Sequence, residues 1–390
     1  MASSFTLRWG IMSTGAVAEA FSRDLLTNPK ARDVYDVNHR IAAIASRRVE
    51  SADAFRTRID ASYDISTYGS YSELVADPEV DIIYVATPHS HHFQNTMLAL
   101  SAGKHVLCEK AFTVTLEQAR RLVGFAREKR LFLMEAVWTR FMPLSQKIRD
   151  LVSQGEIGTV SRVSADLSFV KVSNEGGQSL EDSHRVLNPE LAGGTLLNYG
   201  LYSLTWVFQI LFHLQPDEEK ERPAVVSAMD KYPTGVDESV AIICHFPRHR
   251  TMGIATSSLR LATNAREAGN THGILIQGSK GEIRVAHPAY RPANFSIIRS
   301  GTGKDIQTIE CPIPKDDGRD DCGQGFFWEA DEVARCIRDG KIECEVMPLD
   351  ETLTIMETMD QVRRQGGLVY PEAITGHEFN ARGDMNTSTQ

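Results

Sequence analysis

Leu7-Arg8-Trp9-Gly10-Ile11-Met12-Ser13-Thr14-Gly15-Ala16-Val17-Ala18 is the stretch whose reading decides the fold. Leu7 to Met12 reads as a buried strand and Ser13 to Gly15 as a turn of small residues. From Val17 to Leu26 apolar residues recur at helical spacing, closed by Asn28-Pro29. A strand that turns directly into a helix aims free backbone N–H groups and the positive end of the helix dipole at one point. That arrangement grips a pyrophosphate. In the glycine pattern of dinucleotide-binding βαβ units, G-x-G-x-x-G/A, the slots here hold Ser13, Gly15 and Ala18. Gly15 keeps the close backbone approach to phosphate, and Ala18 is small enough for helix–strand packing. Ser13 gives up the free φ of glycine and brings a hydroxyl that can bond a phosphate or a turn N–H. Ser13, Thr14, Gly15, Ala16 and Val17 are therefore the expected phosphate contacts.

The next strand, Arg40 to Ala45, ends in Ser46-Arg47-Arg48. An NAD site places a carboxylate there to hold the adenosine ribose hydroxyls. Here no carboxylate repels a 2′-phosphate, and two guanidinium groups and a hydroxyl can bind one, so NADP is favoured over NAD. The alternative is a pair of solvated surface arginines. The strand Val80 to Thr87 is continuously apolar, as a doubly covered parallel strand should be, and ends in Pro88-His89-Ser90-His91-His92. Three clustered histidines raise a metal site, but no Cys or carboxylate shares their spacing. The favoured reading counts Thr87, Pro88, His89 and His92 among the cofactor contacts, with His89 facing the nicotinamide end, His92 starting the helix Phe93 to Ala102, and no metal.

A further strand, His105 to Cys108, delivers Glu109-Lys110. Both fall where a cofactor contact is expected, and a lysine there is a cation placed beside reacting oxygens. A plain surface Glu–Lys pair is the alternative. With one more helix and the strand Leu131 to Met134, strand and helix alternate over about 135 residues, which is doubly wound α/β.

The chain has 390 residues, enough for two cored domains, and a formal net charge of −9. An acidic balance without a Lys/Arg stripe argues against nucleic acid as a partner. No apolar run spans a bilayer and no secretory leader is evident. Six cysteines without a C-x-x-C pair read as reduced thiols of a cytoplasmic protein.

From Trp138 the pattern changes. Val160–Phe169, Val225–Lys231, Val240–Phe246, Thr251–Leu259, Gly273–Gln277, Gly281–Ala286 and Asn294–Ser300 alternate as antiparallel strands with one covered face. Late helices fall near Phe327–Arg338 and Leu349–Gln365. The expected domains are 1–137 and 138–375, followed by a polar tail, 376–390. Gly193-Gly194-Thr195-Leu196-Leu197-Asn198-Tyr199-Gly200-Leu201-Tyr202 reads as a helix start reaching into an interdomain cleft, with Asn198 and Tyr202 on one helical face.

Trp9-Gly10-Ile11, Ala86-Thr87-Pro88, Ala102-Gly103-Lys104 and Glu109-Lys110 resemble the glucose–fructose oxidoreductase/inositol dehydrogenase group of NAD(P)-dependent enzymes. Phe132 to Phe141, Gly193 to Leu197 and Gly278-Ser279-Lys280-Gly281 resemble its branch of dimeric dihydrodiol dehydrogenases and fungal NADP-dependent D-xylose dehydrogenases. The likeness runs from about Leu7 to Pro371. It implies a second domain built on a large open, mostly antiparallel sheet, a homodimer, and a sugar or cyclic diol as substrate. It also implies that Tyr202, with Lys110, carries the proton transfer. The branch has Glu-Lys-Pro where this chain has Glu109-Lys110-Ala111. It also has an aspartate where this chain has Asn198, the third expected catalytic position. An asparagine can hydrogen-bond a hydroxyl but cannot take a proton, so either the aspartate only positions substrate or the chemistry here is altered. Trp138, Arg140, His184 and Arg185 are expected to line the sugar pocket, an aromatic wall suiting the apolar face of a pyranose. The other readings are a tailoring oxidoreductase of secondary metabolism, a dinucleotide-sensing regulator without turnover, and a hydrolase using transient oxidation.

Overall fold

The computed structural model describes residues 4–61, 63–172, 180–263, 272–301, 306–319 and 323–379. The chain divides into two compact units. The first comprises 1–141, 313–352 and 375–390, and the second 142–312 and 353–374. This differs from the linear division at 137/138, because 313–352 returns to the first unit. Most of the expected polar tail lies outside the described residues.

The first unit holds six parallel strands, β1 (Phe5–Met12), β2 (Val37–Ala45), β3 (Ser66–Tyr68), β4 (Ile82–Val85), β5 (His105–Glu109) and β6 (Leu133–Ala136). Their order is β3-β2-β1-β4-β5-β6. This is the doubly wound arrangement with its switch point between β1 and β4. The crossover helices are α1 (Ala16–Leu25), α2 (Val49–Ile59), α3 (Tyr71–Ala76), α4 (His89–Ser101) and α5 (Leu116–Lys129). Gly10 has a packing reason: a Cβ there would lie 2.8 Å from the Ile83 side chain and 2.9 Å from that of Val80. α5 starts with a capping box, Thr115 and Gln118 each satisfying the other's backbone N–H. α4 begins at His89 rather than after His92, because Pro88, extended at φ −59° and ψ 153°, is its N-cap.

The return of 313–352 has identifiable causes. The Asp24 carboxylate, at the end of α1, accepts backbone N–H bonds from Gln324, Gly325 and Phe326 at 2.7 to 3.1 Å. A later helix, α8 (Phe327–Arg338), then brings Asp331 against the sheet. Arg32 Nε and Nη2 each donate to Asp331 at 2.8 Å. Trp9 Nε1, which can only donate, bonds His39 Nδ1 at 3.1 Å. His39 Nε2 therefore carries the proton given to Asp331 Oδ1 at 2.9 Å. Burial holds His39 below the ordinary imidazole value, keeping the ring neutral. Burial works against the Asp331 carboxylate, yet Arg32 and His39 together hold it below the usual range. Asp331→Ala leaves Arg32 buried without its counter-charge and is expected to cost about 3–5 kcal/mol of the first unit's stability. Denaturant unfolding measures this, and a loss under about 1 kcal/mol contradicts the anchoring role.

The second unit begins with α6 (Pro143–Ser153) and is built on eight strands: β7 (Val160–Asp166), β8 (Ala224–Lys231), β9 (Asp237–Phe246), β10 (Thr251–Ser258), β11 (His272–Gly278), β12 (Gly281–Ala286), β13 (Asn294–Arg299) and β14 (Ile306–Glu310). The order is β14-β13-β12-β11-β7-β10-β9-β8. All neighbours are antiparallel except β7 and β10, which run parallel at the centre. The short strands β3 and β14 were not legible in the sequence. One face of the sheet is covered by α7 (Leu201–Leu211), every residue of which is buried. Gly253 permits the close approach, since a Cβ on it would collide with the Val207 side chain. The remaining long helices are α8 and α9 (Leu349–Gln365).

Candidate active site

On the first unit, β1 breaks at Ser13, which sits at φ +111°, a region where glycine is the ordinary occupant. The serine in the first glycine slot thus keeps the turn's backbone conformation. α1 starts at the Gly15 N-cap without a side-chain cap. A Cβ added at Gly15 would meet only Ser13 Oγ, at 3.9 Å, leaving the approach to the turn open. Thr14 Oγ1 lies 3.3 Å from Ser46 Oγ, so phosphate turn and β2 end adjoin. Arg47 and Arg48 are both exposed there. Arg58, not singled out in the sequence, donates to the Thr14 carbonyl at 3.4 Å and to Glu19 at 3.0 Å. An uncapped helix N-terminus behind an open turn, with two arginines and no carboxylate closing β2, fits a dinucleotide carrying a 2′-phosphate.

Lys110 follows β5 directly and is half-buried. Its backbone N–H bonds Glu109 Oε2 at 3.1 Å, and Glu109 Oε1 accepts the Tyr84 hydroxyl at 2.6 Å. The Lys110–Ala111 peptide is cis. His92 is buried, with Nδ1 2.8 Å from the Ala111 carbonyl and Nε2 2.8 Å from that of Thr87. Two facing carbonyls favour the imidazolium, but complete burial outweighs them and pulls the pKa down to about 4. The neutral ring donates to one carbonyl at a time and ties the Thr87 turn to the lysine loop. His91 bonds Ser90 Oγ at 2.8 Å and His89 is buried edge-on to His92. Among the described residues, the side chains converging at metal-ligand spacing are Glu332, Cys336 and Cys344, not these histidines.

Glu135, on β6, is a fully buried carboxyl near Lys110 and Arg140. Burial pushes it up to about 7 against those two charges and against the hydrogen bond from Phe112 N–H at 3.0 Å. A carboxyl raised on folding contributes stability that is complete below its unfolded pKa and is lost as pH rises through the folded one. Glu135→Gln retains an acceptor for Phe112. Its stability relative to the parent is expected to rise by about 3 kcal/mol between pH 4.5 and 7.5. Thermal or chemical unfolding across that range reads it, and a pH-independent difference would show that Glu135 ionises freely.

One expected sugar-pocket residue is claimed by an ion pair. Arg140 is fully buried and its guanidinium grips Glu351 in the core of the first unit. An enclosed ion pair is not a pocket wall, so Arg140 is withdrawn from the substrate set. Trp138 stacks on Phe326 at 4.1 Å and is 5% exposed.

On the second unit, the expected regular helix start is instead a π-helical turn, Leu196–Gly200, in which the N–H of Leu201 reaches back to the Leu196 carbonyl. Gly193 and Gly194 are required before it. A Cβ on Gly193 would come 2.6 Å from the Val186 carbonyl oxygen. One on Gly194, at φ +108°, would strike the Asp237 carboxylate. Asp237 accepts the Leu196 N–H at 2.6 Å, and burial raises its carboxyl to about 6. Asn198 is 3% and Tyr202 7% exposed.

Asn198 Nδ2 donates to the Gly194 carbonyl at 2.6 Å, and its Oδ1 accepts Arg185 Nη1 at 2.9 Å. The Tyr202 ring lies 5.8 Å from that of Tyr290. Phe169 in turn lies 6.3 Å from Tyr290, 5.0 Å from Tyr199 and 6.2 Å from His287. Lys171 Nζ sits 5.6 Å from the Phe169 centroid. His184 is largely exposed, and partial desolvation with the charges of Arg185 and Lys171 holds its imidazole below the ordinary value. Phe169, Lys171, Tyr199, His287 and Tyr290 were missed in the sequence, where each is one aromatic or basic residue among many.

A doubly wound dinucleotide unit, together with a second unit whose open mixed sheet is covered by the helix that carries the buried Tyr202, defines a nicotinamide-dependent oxidoreductase architecture. The chain belongs to the GFO/IDH/MocA oxidoreductase family. Its NAD-binding Rossmann domain matches residues 7–137 and its C-terminal domain residues 145–284. The chain is 57% identical to D-xylose 1-dehydrogenase (NADP(+)) of Hypocrea jecorina, over 99% of this chain and 98% of that protein. It is 33% identical to human trans-1,2-dihydrobenzene-1,2-diol dehydrogenase, over 94% and 98%. Among solved structures, KijD10, a 3-ketoreductase from Actinomadura kijaniata in complex with NADP and TDP-benzene, shares the fold. Its TM-score is 0.71 at 21% identity, covering 93% of this chain and 98% of that one.

Proposed function

We propose that the protein is an NADP-dependent dehydrogenase that oxidises the anomeric carbon of an aldopyranose of the D-xylose type to a lactone. The observation that carries this reading is the 57% identity to D-xylose 1-dehydrogenase (NADP(+)) over 99% of the chain. Ser46, Arg47 and Arg48, ending β2 without a carboxylate, support NADP over NAD. The expected cofactor contacts are Ser13 to Val17, Ser46 to Arg48, Thr87, Pro88, His89, Glu109 and Lys110, with His92 bracing the last of these.

Bound NADP⁺ supplies a hydride acceptor at nicotinamide C4. Tyr202 takes the proton of the C1 hydroxyl as the C1–H pair departs, leaving the lactone carbonyl. Lys110 supplies the positive charge that favours the phenolate and the developing alkoxide. Asn198 orients through hydrogen bonds and accepts no proton. His184, Arg185 and Trp138 are the substrate-side residues. The resemblance supports a homodimer, and the free thiols of Cys108, Cys244, Cys311, Cys336 and Cys344 support a cytoplasmic home.

The test is NADP⁺ reduction with D-xylose, D-glucose, other aldoses and a trans-dihydrodiol. Turnover of an aldose is expected. Turnover confined to the dihydrodiol would move the substrate class, and silence with every compound would overturn the reading.

A further inference from the structure

Asn198 is held in one orientation. The Gly194 carbonyl can only accept and Arg185 can only donate, so the amide nitrogen must face the first and the oxygen the second. Arg185 is thereby tied in place by a neutral partner. Among the described residues no carboxylate pairs with Arg185, Lys171 or His184. An aspartate at 198 would neutralise Arg185 and set a carboxylate oxygen against the Gly194 carbonyl. The asparagine preserves the arginine's charge. A second cation, Lys171, stands over Phe169, whose ring adjoins Tyr199 and Tyr290, and Tyr290 adjoins Tyr202. The charge thus borders an aromatic shelf that reaches the tyrosine proposed to do the chemistry.

We propose that, over the neutral aldoses of the dehydrogenase reading, this site prefers a pyranose that also bears an anionic group, a carboxylate or a phosphate, which Arg185 binds with Lys171 beside it while the ring lies on Tyr199, Tyr290 and Phe169. The inference rests on the dehydrogenase reading for the identity of the reacting ring and on the geometry around Asn198 for the charge. Arg185 is the residue that sets specificity, and Asn198 positions it. A guanidinium fixed by one hydrogen bond still presents its remaining N–H groups in a planar fork suited to a carboxylate or phosphate.

Equilibrium binding of D-glucose, D-glucuronate and D-glucose 6-phosphate to the protein saturated with NADPH, which cannot accept a hydride, tests this, alongside NADP⁺ reduction with the same three. One of the two anions is expected to bind at least about tenfold more tightly than D-glucose, with the preference shrinking as salt rises. Which anion wins separates carboxylate from phosphate. Arg185→Gln is expected to lose at least about tenfold more affinity for that anion than for D-glucose, and Asn198→Asp to lose it in the same direction. D-glucose binding as tightly as both anions, or an anion preference that survives both substitutions, would overturn the proposal. An Arg185-dependent preference without NADP⁺ reduction by any sugar sustains this inference and removes the dehydrogenase reading. Reduction by neutral aldoses with no anion preference does the reverse.

Discussion

Tyr202→Phe is expected to lower kcat by at least about a hundredfold while NADP⁺ affinity stays within about threefold. The substitution removes one hydroxyl and leaves the ring near Tyr290. A phenol has an intrinsic pKa of about 10, so it works as a base near neutral pH only beside a positive charge. Lys110→Met removes the proposed source of that charge and should cost a similar factor. With both proposed to act on one proton, the double variant is expected to be little worse than either alone. The pH–rate profile distinguishes this from a positioning role, since loss of the proton acceptor removes the limb that reports its titration. Retained turnover in Tyr202→Phe, with cofactor binding lost, would assign Tyr202 to the wrong task.

The second large effect is expected at the end of β2. Arg47→Ala with Arg48→Ala should weaken NADP⁺ by about a hundredfold or more and NAD⁺ by no more than about threefold. The two cofactors differ by one phosphate, and each guanidinium can give that phosphate charge-assisted hydrogen bonds. The open turn at Ser13 and Gly15, the proposed grip on the pyrophosphate common to both, is untouched. Titration of each cofactor against parent and variant measures the ratio directly. Equal weakening of both cofactors would place the arginines outside the 2′-phosphate site.

The half of the fold that positions the cofactor was legible because its signals are local. β1, its turn and α1 are contiguous, and β4 is an uninterrupted apolar run. Gly281–Ala286 and Leu349–Gln365 were bounded in the sequence as the structure has them. What escaped depends on partners far along the chain. Nothing near Arg140 says that Glu351 will claim it, and nothing near Asp24 says that its carboxylate will hold the N–H groups of Gln324 to Phe326 and bring that segment home. The aromatic shelf has the same cause. Phe169 lies beyond the end of β7, Tyr199 in the π-helical turn and Tyr290 after β12, so only the folded sheet assembles them. The turn itself was read as ordinary helix because hydrogen bonding between i and i+5 leaves no mark in apolar periodicity. The departure at Asn198 was visible in the sequence, but its meaning required Arg185 and the Gly194 carbonyl on either side of the amide.

Oxidation of D-xylose deuterated at C1, with mass analysis of the reduced cofactor, tests the proposed hydride transfer from the anomeric carbon of a sugar to NADP⁺. One deuterium in the NADPH formed and a D-xylonolactone product are expected. Reduced cofactor without deuterium, or no reduction by D-xylose or any other C1-labelled aldose while NADP⁺ still binds, would contradict it.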